Sequence, residues 1–177
     1  MGISASKRVR SSLRSSPEFD SACDTAYDHC LALTQHAFDG VFPYQLSSAS
    51  ALLHRSLSLS FPLVSRWVPS PPSQSQVDRA LRRATAADRR SPGAGGGGEG
   101  DGPQLLGAAE FREWAAELFA GAVVEGAGRA AMTRVPIGVA GIAGLGMATR
   151  SGKEVIGSAI GVYALGVATA IYLGLSG

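Results

Sequence analysis

From Val155 to Leu175 the chain runs 21 residues without a charged side chain, and this run limits what the rest of the sequence can be. As a helix it is about 31 Å long, the hydrocarbon thickness of a bilayer. Nine of its residues are Val, Ile or Leu, worth roughly −3 to −5 kcal/mol on an insertion scale. The four Gly and four Ala add little, so insertion is favourable by a modest margin.

The small residues of this run are ordered. Gly157, Gly161, Ala164 and Ala168 recur at four, three and four and share a narrow arc of one face. Ile156, Ile160, Val167 and Ile171 cover the flank beside it. Gly157 with Gly161 is a GxxxG pair, which lets two helix backbones approach closely in lipid. The segment just upstream, Pro136 to Ala148, is also uncharged but spans only about 20 Å as a helix. With Gly141 and Gly144 on a small-residue face of its own, it is the expected partner of the seam, as a re-entrant or tilted half of a hairpin. The connector carries Arg150 and Lys153, whose transfer to the far side opposes the positive-inside preference, so a single span is expected. Only Ser176 and Gly177 follow, the layout of a tail anchor with its body in the cytosol.

Charge before the anchor comes in blocks. Residues 1–16 are Ser-rich, free of acids and carry Lys7, Arg8, Arg10 and Arg14. They open with Met1-Gly2-Ile3-Ser4-Ala5-Ser6, which fits the pattern for myristoylation at Gly2. One myristoyl chain holds a membrane only marginally, and the four basic residues supply the second signal at about 1 kcal/mol each on an anionic surface. The competing reading is an organellar presequence, which would place the protein in a mitochondrial or plastid envelope. The stretch lacks the apolar core of a secretory signal.

Residues 17–64 read as a helical region. Ser16-Pro17-Glu18 combines an N-cap, a first-turn proline and an early acid, and the stripe Phe19, Cys23, Ala26, Cys30, Leu33, Ala37 predicts a helix reaching about Phe38, ended by Gly40 and Pro43. Asp20, Asp24 and Asp28 share its solvated face. A second helix is expected from about Ser47 to Leu59, stopped by Pro62. Residues 65–102 read as a Pro/Ser/Gly-rich linker holding a short basic helix from Ser75 to Arg90, capped by Ser75 with Asp78, and a flexible stretch from Ser91 to Gly102.

Residues 103–134 carry the clearest amphipathic helix. Phe111, Ala115, Leu118 and Ala122 share a face flanked by Trp114 and Phe119, and Glu110, Glu113 and Glu117 share the other. This apolar face must dock on something: the 17–39 helix, another subunit or the membrane surface. Phe111, Trp114, Leu118 and Phe119 are accordingly the expected protein-contact face. Residues 135–177 form the Gly-rich membrane anchor.

The chemistry of catalysis is missing. Cys23 and Cys30, like His29 and His36, are seven apart, whereas a helix offers a metal two ligands about four apart. The two thiols stand about 10 Å apart along a helix, too far for an unstrained disulfide, and read as reduced. The glycine run Gly93–Gly98 lacks the Lys-Ser or Lys-Thr of a phosphate loop. The arginines between 79 and 90 lack interleaved aromatics, so a solvated or lipid-facing helix is expected there and nucleic acid is not.

The expectation is therefore an all-α protein, a small helical cytosolic region with disordered linkers and a C-terminal Gly/Ala-rich transmembrane helix or hairpin. It has no catalytic site, no metal and no cofactor. Its expected role is a membrane-anchored adaptor or scaffold facing the cytosol, on the plasma membrane or an endomembrane, with membrane lipid and a protein as partners. The alternative is an integral-membrane assembly subunit, homo-oligomeric or joined to a complex through its Gly/Ala seams.

Overall fold

A computed structural model describes residues 4–88, 105–148 and 153–174. Among the described residues seven α-helices follow one another, and the one β feature is an isolated bridge between Val41 and Leu106. Two compact units divide the chain, Met1–Val123 and Val124–Gly177, so the longest helix contributes to both.

The first helix, α1 (Ala5–Arg14), stands where a tethering arm is expected from the sequence. Ser4 caps it by accepting the Lys7 N–H, and Val9 and Leu13, one turn apart, are fully buried. Ser15 ends α1, and Ser16 at once caps α2 (Pro17–Leu33), its hydroxyl accepting the Phe19 N–H with Pro17 at the first helical position. Phe19, Ala22, Cys23, Ala26 and Cys30 form the buried stripe of α2.

That stripe is shorter than expected. Gln35 and His36 both take positive φ, 53° and 56°, and turn the chain out of the helix after Leu33. Leu33 and Ala37 are consequently exposed. Gly40 serves a different purpose from ending a helix: a Cβ there would lie 2.9 Å from the Leu106 carbonyl oxygen. The absent side chain lets Val41 and Leu106 exchange two backbone hydrogen bonds of 2.9 Å.

A 3-10 turn (Pro43–Gln45) leads into α3 (Leu46–Ser60). The buried Gln45 amide accepts the Phe42 N–H at 2.9 Å and donates to the Cys30 carbonyl at 3.0 Å, tying turn to helix. Phe61 caps α3, and Pro62 opens the short α4 (Pro62–Trp67) inside the stretch read as linker. The next helix, α5 (Gln74–Asp88), starts close to expectation but with a different cap. Ser73, not Ser75, holds the position, and the Gln76 side chain reaches back to the Ser73 N–H at 2.8 Å. The expected linker Ser91–Gly102 lies outside the described residues.

The central element is α6 (Ala108–Ala148). In its first turns Phe111, Trp114, Ala115, Ala116, Leu118, Phe119, Ala120, Ala122 and Val123 are all buried, which takes up most of the circumference. A helix apolar nearly all round belongs inside a bundle. Here it forms the core of the first unit, with Tyr27 edge-on to Phe111 at 5.5 Å and the Trp114 indole N–H directed at the Val77 carbonyl. The sequence places a break before Pro136, yet α6 runs through it. A proline in a helix interior removes one backbone hydrogen bond, and here the helix continues past it to Ala148.

The last helix, α7 (Lys153–Gly174), belongs to the second unit. Gly138 of α6 lies beneath the Tyr163 ring of α7 so closely that a Cβ would overlap it. The two helices of this unit therefore pack against each other.

Candidate membrane anchor and interaction surfaces

Two basic residues of the N-terminal arm, Arg10 and Arg14, are engaged by acids of α6. Arg10 pairs with Glu113 and, at 3.1 Å, with Glu117; Arg14 reaches Glu113 at 3.0 Å. From α5 Arg83 joins Glu117 at 3.3 Å. The acidic side of α6, expected to be a solvated outer face, is thus a half-buried seam where α1 and α5 are fastened. Lys7 is exposed and Arg8 half-buried, while Gly2 lies outside the described residues. An ion-pair network of this kind stabilises more than isolated surface pairs, each worth about 0.2–1 kcal/mol.

Phe111, Trp114, Leu118 and Phe119, expected to meet another protein, are at most 2% exposed. Their partner is the chain itself, the first of the three alternatives open at the level of sequence. A free contact surface has to be sought elsewhere.

The anchor candidate is α7. From Ile156 to Gly174 it is long and apolar enough to cross a membrane, and no part of that stretch is buried. Val162, Leu165 and Leu173 are each more than 60% exposed. Within the unit α7 packs through the flank beside the small-residue seam. Its half-buried positions include Ile156, Ile160, Tyr163, Val167 and Ile171, spaced four, three, four and four along one face. The isoleucine flank, with Tyr163 over Gly138, therefore makes the contact within the unit. Gly157, Gly161 and Ala168 are exposed, Ala164 is half-buried, and a Cβ at either glycine would meet open space. Gly141 and Gly144 lie in α6, and their surroundings fall outside the described residues, as does Arg150 in the connector.

A second surface was not singled out by sequence. Between α2 and α3, Phe38 packs edge-on to Phe42 at 4.9 Å, and Phe42 stacks on Tyr44 at 5.4 Å. Phe38 is 47% and Tyr44 72% exposed. The spacing of three aromatics in seven residues is the signal, masked in the sequence by the extrapolated helix. The backbone beneath them is held by the Val41–Leu106 bridge and the Gln45 hydrogen bonds. The bridge also sets this loop beside the start of α6, where Glu110 accepts the Gly107 N–H. Burial pushes the Tyr27 hydroxyl pKa up, and Asp39, Asp28 and Glu110 add to the shift. A shallow groove of about 320 Å³ runs along α2 and α3, lined by Ala26, His29, Leu52 and Arg55 among others.

The cysteines sit in the core. Cys23 and Cys30 are unbridged and buried, and burial is the main force that lifts the Cys23 thiol to about 12 and raises Cys30 as well. A thiol held protonated is a poor nucleophile and a poor metal ligand. Among the described residues no group of three or more His, Cys, Asp or Glu side chains is arranged to hold a metal. Comparison with protein-family models, curated proteins and solved structures finds no match, so the geometry carries the functional argument alone.

Proposed function

We propose that the protein is a non-catalytic, membrane-anchored adaptor, with α7 crossing the bilayer and the first unit held in the aqueous phase as a folded recognition module. The observation that carries this reading is that α7 is apolar from Ile156 to Gly174 with no residue of that stretch buried, and that Val162, Leu165 and Leu173 are exposed. In water such a surface would cost about 25 cal/mol for each Å² left uncovered, whereas lipid covers it at no such cost. Two buried reduced cysteines and a basic connector at Arg150 and Lys153 favour the cytosolic side for the module.

The test is a pair of substitutions in the middle of the span. Val162→Lys with Leu165→Lys adds roughly 5–7 kcal/mol to the cost of insertion, enough to reverse a favourable balance of a few kcal/mol. The double variant is expected in the soluble fraction with its helical module intact. Retention in the membrane fraction would contradict the reading.

A second reading, an assembly subunit joined through its transmembrane helix, is favoured by the open space beside Gly157 and Gly161. In that case Gly157→Leu with Gly161→Leu disperses the oligomer seen by cross-linking in membranes. An unchanged cross-linking pattern leaves the adaptor reading alone.

A further inference from the structure

The loop between α2 and α3 is built as an unusual surface. Leu33, Phe38 and Tyr44 are among the most exposed large apolar side chains of the first unit, and all three fall within twelve residues. Two consecutive residues without a glycine's freedom, Gln35 and His36, hold positive φ to carry the chain into this loop. Such a conformation persists only where the surroundings enforce it. Here they do: Gly40 sits tight against the Leu106 backbone, the Val41–Leu106 bridge closes the loop, and the Gln45 side chain holds the Phe42 N–H. The aromatics are therefore displayed on a rigid base, which lowers the ordering cost of a partner's arrival.

Charge decides what that partner is. Asp39 lies within the loop next to Phe38, Glu110 stands at the start of α6 and accepts the N–H of Gly107 beside the Leu106 bridge to the loop, and both are exposed. His36 is the one side chain between Thr34 and Tyr44 able to carry a positive charge. Arg10 and Arg14 of α1 and Arg83 of α5 are engaged with Glu113 and Glu117, and Arg112 is hydrogen-bonded to Asp24. An aromatic platform edged with carboxylates attracts cations, since a guanidinium over the face of a Tyr or Phe gains ring attraction and a neighbouring carboxylate gains an ion pair. The same carboxylates repel an anionic lipid surface.

We propose that the Phe38–Phe42–Tyr44 surface, with Asp39 and Glu110 beside it, is the docking site for an arginine-rich segment of a partner protein. This deepens the adaptor reading by giving the module a ligand class. It does not depend on membrane insertion, so the two can fail separately.

The experiment uses the full chain in zwitterionic detergent micelles and follows the fluorescence anisotropy of a labelled nona-arginine peptide. The expected result is saturable binding, weakened about threefold or more by Phe38→Ala and by Tyr44→Ala, since each removes one cation–ring contact. Asp39→Asn weakens binding and flattens its dependence on salt, whereas Asp20→Asn, about three and a half turns before the end of α2, leaves it unchanged. Both aromatic positions are exposed, and an unchanged far-ultraviolet circular dichroism spectrum verifies the fold of each variant. Equal loss from Asp20→Asn and Asp39→Asn with no effect of Tyr44→Ala would reduce the interaction to bulk charge and overturn the proposal. So would absence of binding. A Tyr44→Trp variant in phosphatidylcholine nanodiscs supplies the remaining arm: quenching of its added emission by brominated lipid means the loop sits in the bilayer and overturns the proposal, and no quenching supports it.

Discussion

The two units use apolar side chains in opposite ways. In the first, Phe19, Phe111, Trp114 and Phe119 are hidden, and the ionic groups around them are matched, Arg10 and Arg83 against Glu117. In the second, Val162, Leu165, Tyr172 and Leu173 point outward while only one flank of α7 is covered by its neighbour. Both units are helical, and neither would be told from the other by secondary structure. What separates them is the outer surface: charged groups cover much of the first, whereas the second exposes along α7 a stretch long and apolar enough to cross a membrane.

The contrast breaks most visibly if a core ring is removed. Trp114→Ala deletes the largest fully buried side chain of the first unit and should cost about 3–5 kcal/mol, read as a lower urea midpoint in near-ultraviolet circular dichroism. Leu165→Ala, on the exposed side of α7, should leave that midpoint unmoved.

Alkaline pH gives the next largest effect. Burial lifts the Cys23 thiol from an ordinary value near 9 to about 12, so the folded state favours the neutral form. The resulting stability is complete below pH 9 and is lost as pH rises toward 12, by up to about 1.4 kcal/mol per pH unit. The urea midpoint of the first unit should fall between pH 9 and 11, and Cys23→Ala should flatten that fall. An equal slope in the variant would assign the effect to other groups.

In the second unit Gly138→Leu inserts a side chain into the space of the Tyr163 ring, an overpacking that costs about 1–3 kcal/mol. Faster amide hydrogen exchange along α7 in micelles is expected for this variant. Gly157→Leu, facing open space, should leave exchange in a monomer at the wild-type rate. The smallest effect is expected from Arg112→Ala. Its pair with Asp24 is exposed on both sides, so the loss should stay below about 0.5 kcal/mol in the same urea assay.

Much of this architecture was legible in the sequence because the signals are local. Ser16-Pro17-Glu18 begins α2 as expected, Pro62 limits α3, and α7 follows from length and hydropathy. The failures share a cause in long-range contact. α1 reads as an arm because Val9 and Leu13 are a meagre stripe; its place is secured by Arg10 meeting acids more than 100 positions away. Gly40 reads as a helix stop, but its role depends on Leu106, which no local pattern reveals. On α7 the glycine seam and the isoleucine flank are adjacent arcs of equal periodicity. Only the fit of Tyr163 over Gly138 distinguishes which one faces α6. The aromatic loop escaped notice because two residues other than glycine adopt the left-handed turn that ends α2.

Partition of the intact chain under alkaline carbonate addresses the decisive point, whether α7 is solvated by lipid. The account predicts that the protein stays in the sedimented vesicles after the wash and leaves them only with detergent. Release of the full-length chain into the carbonate supernatant would contradict it.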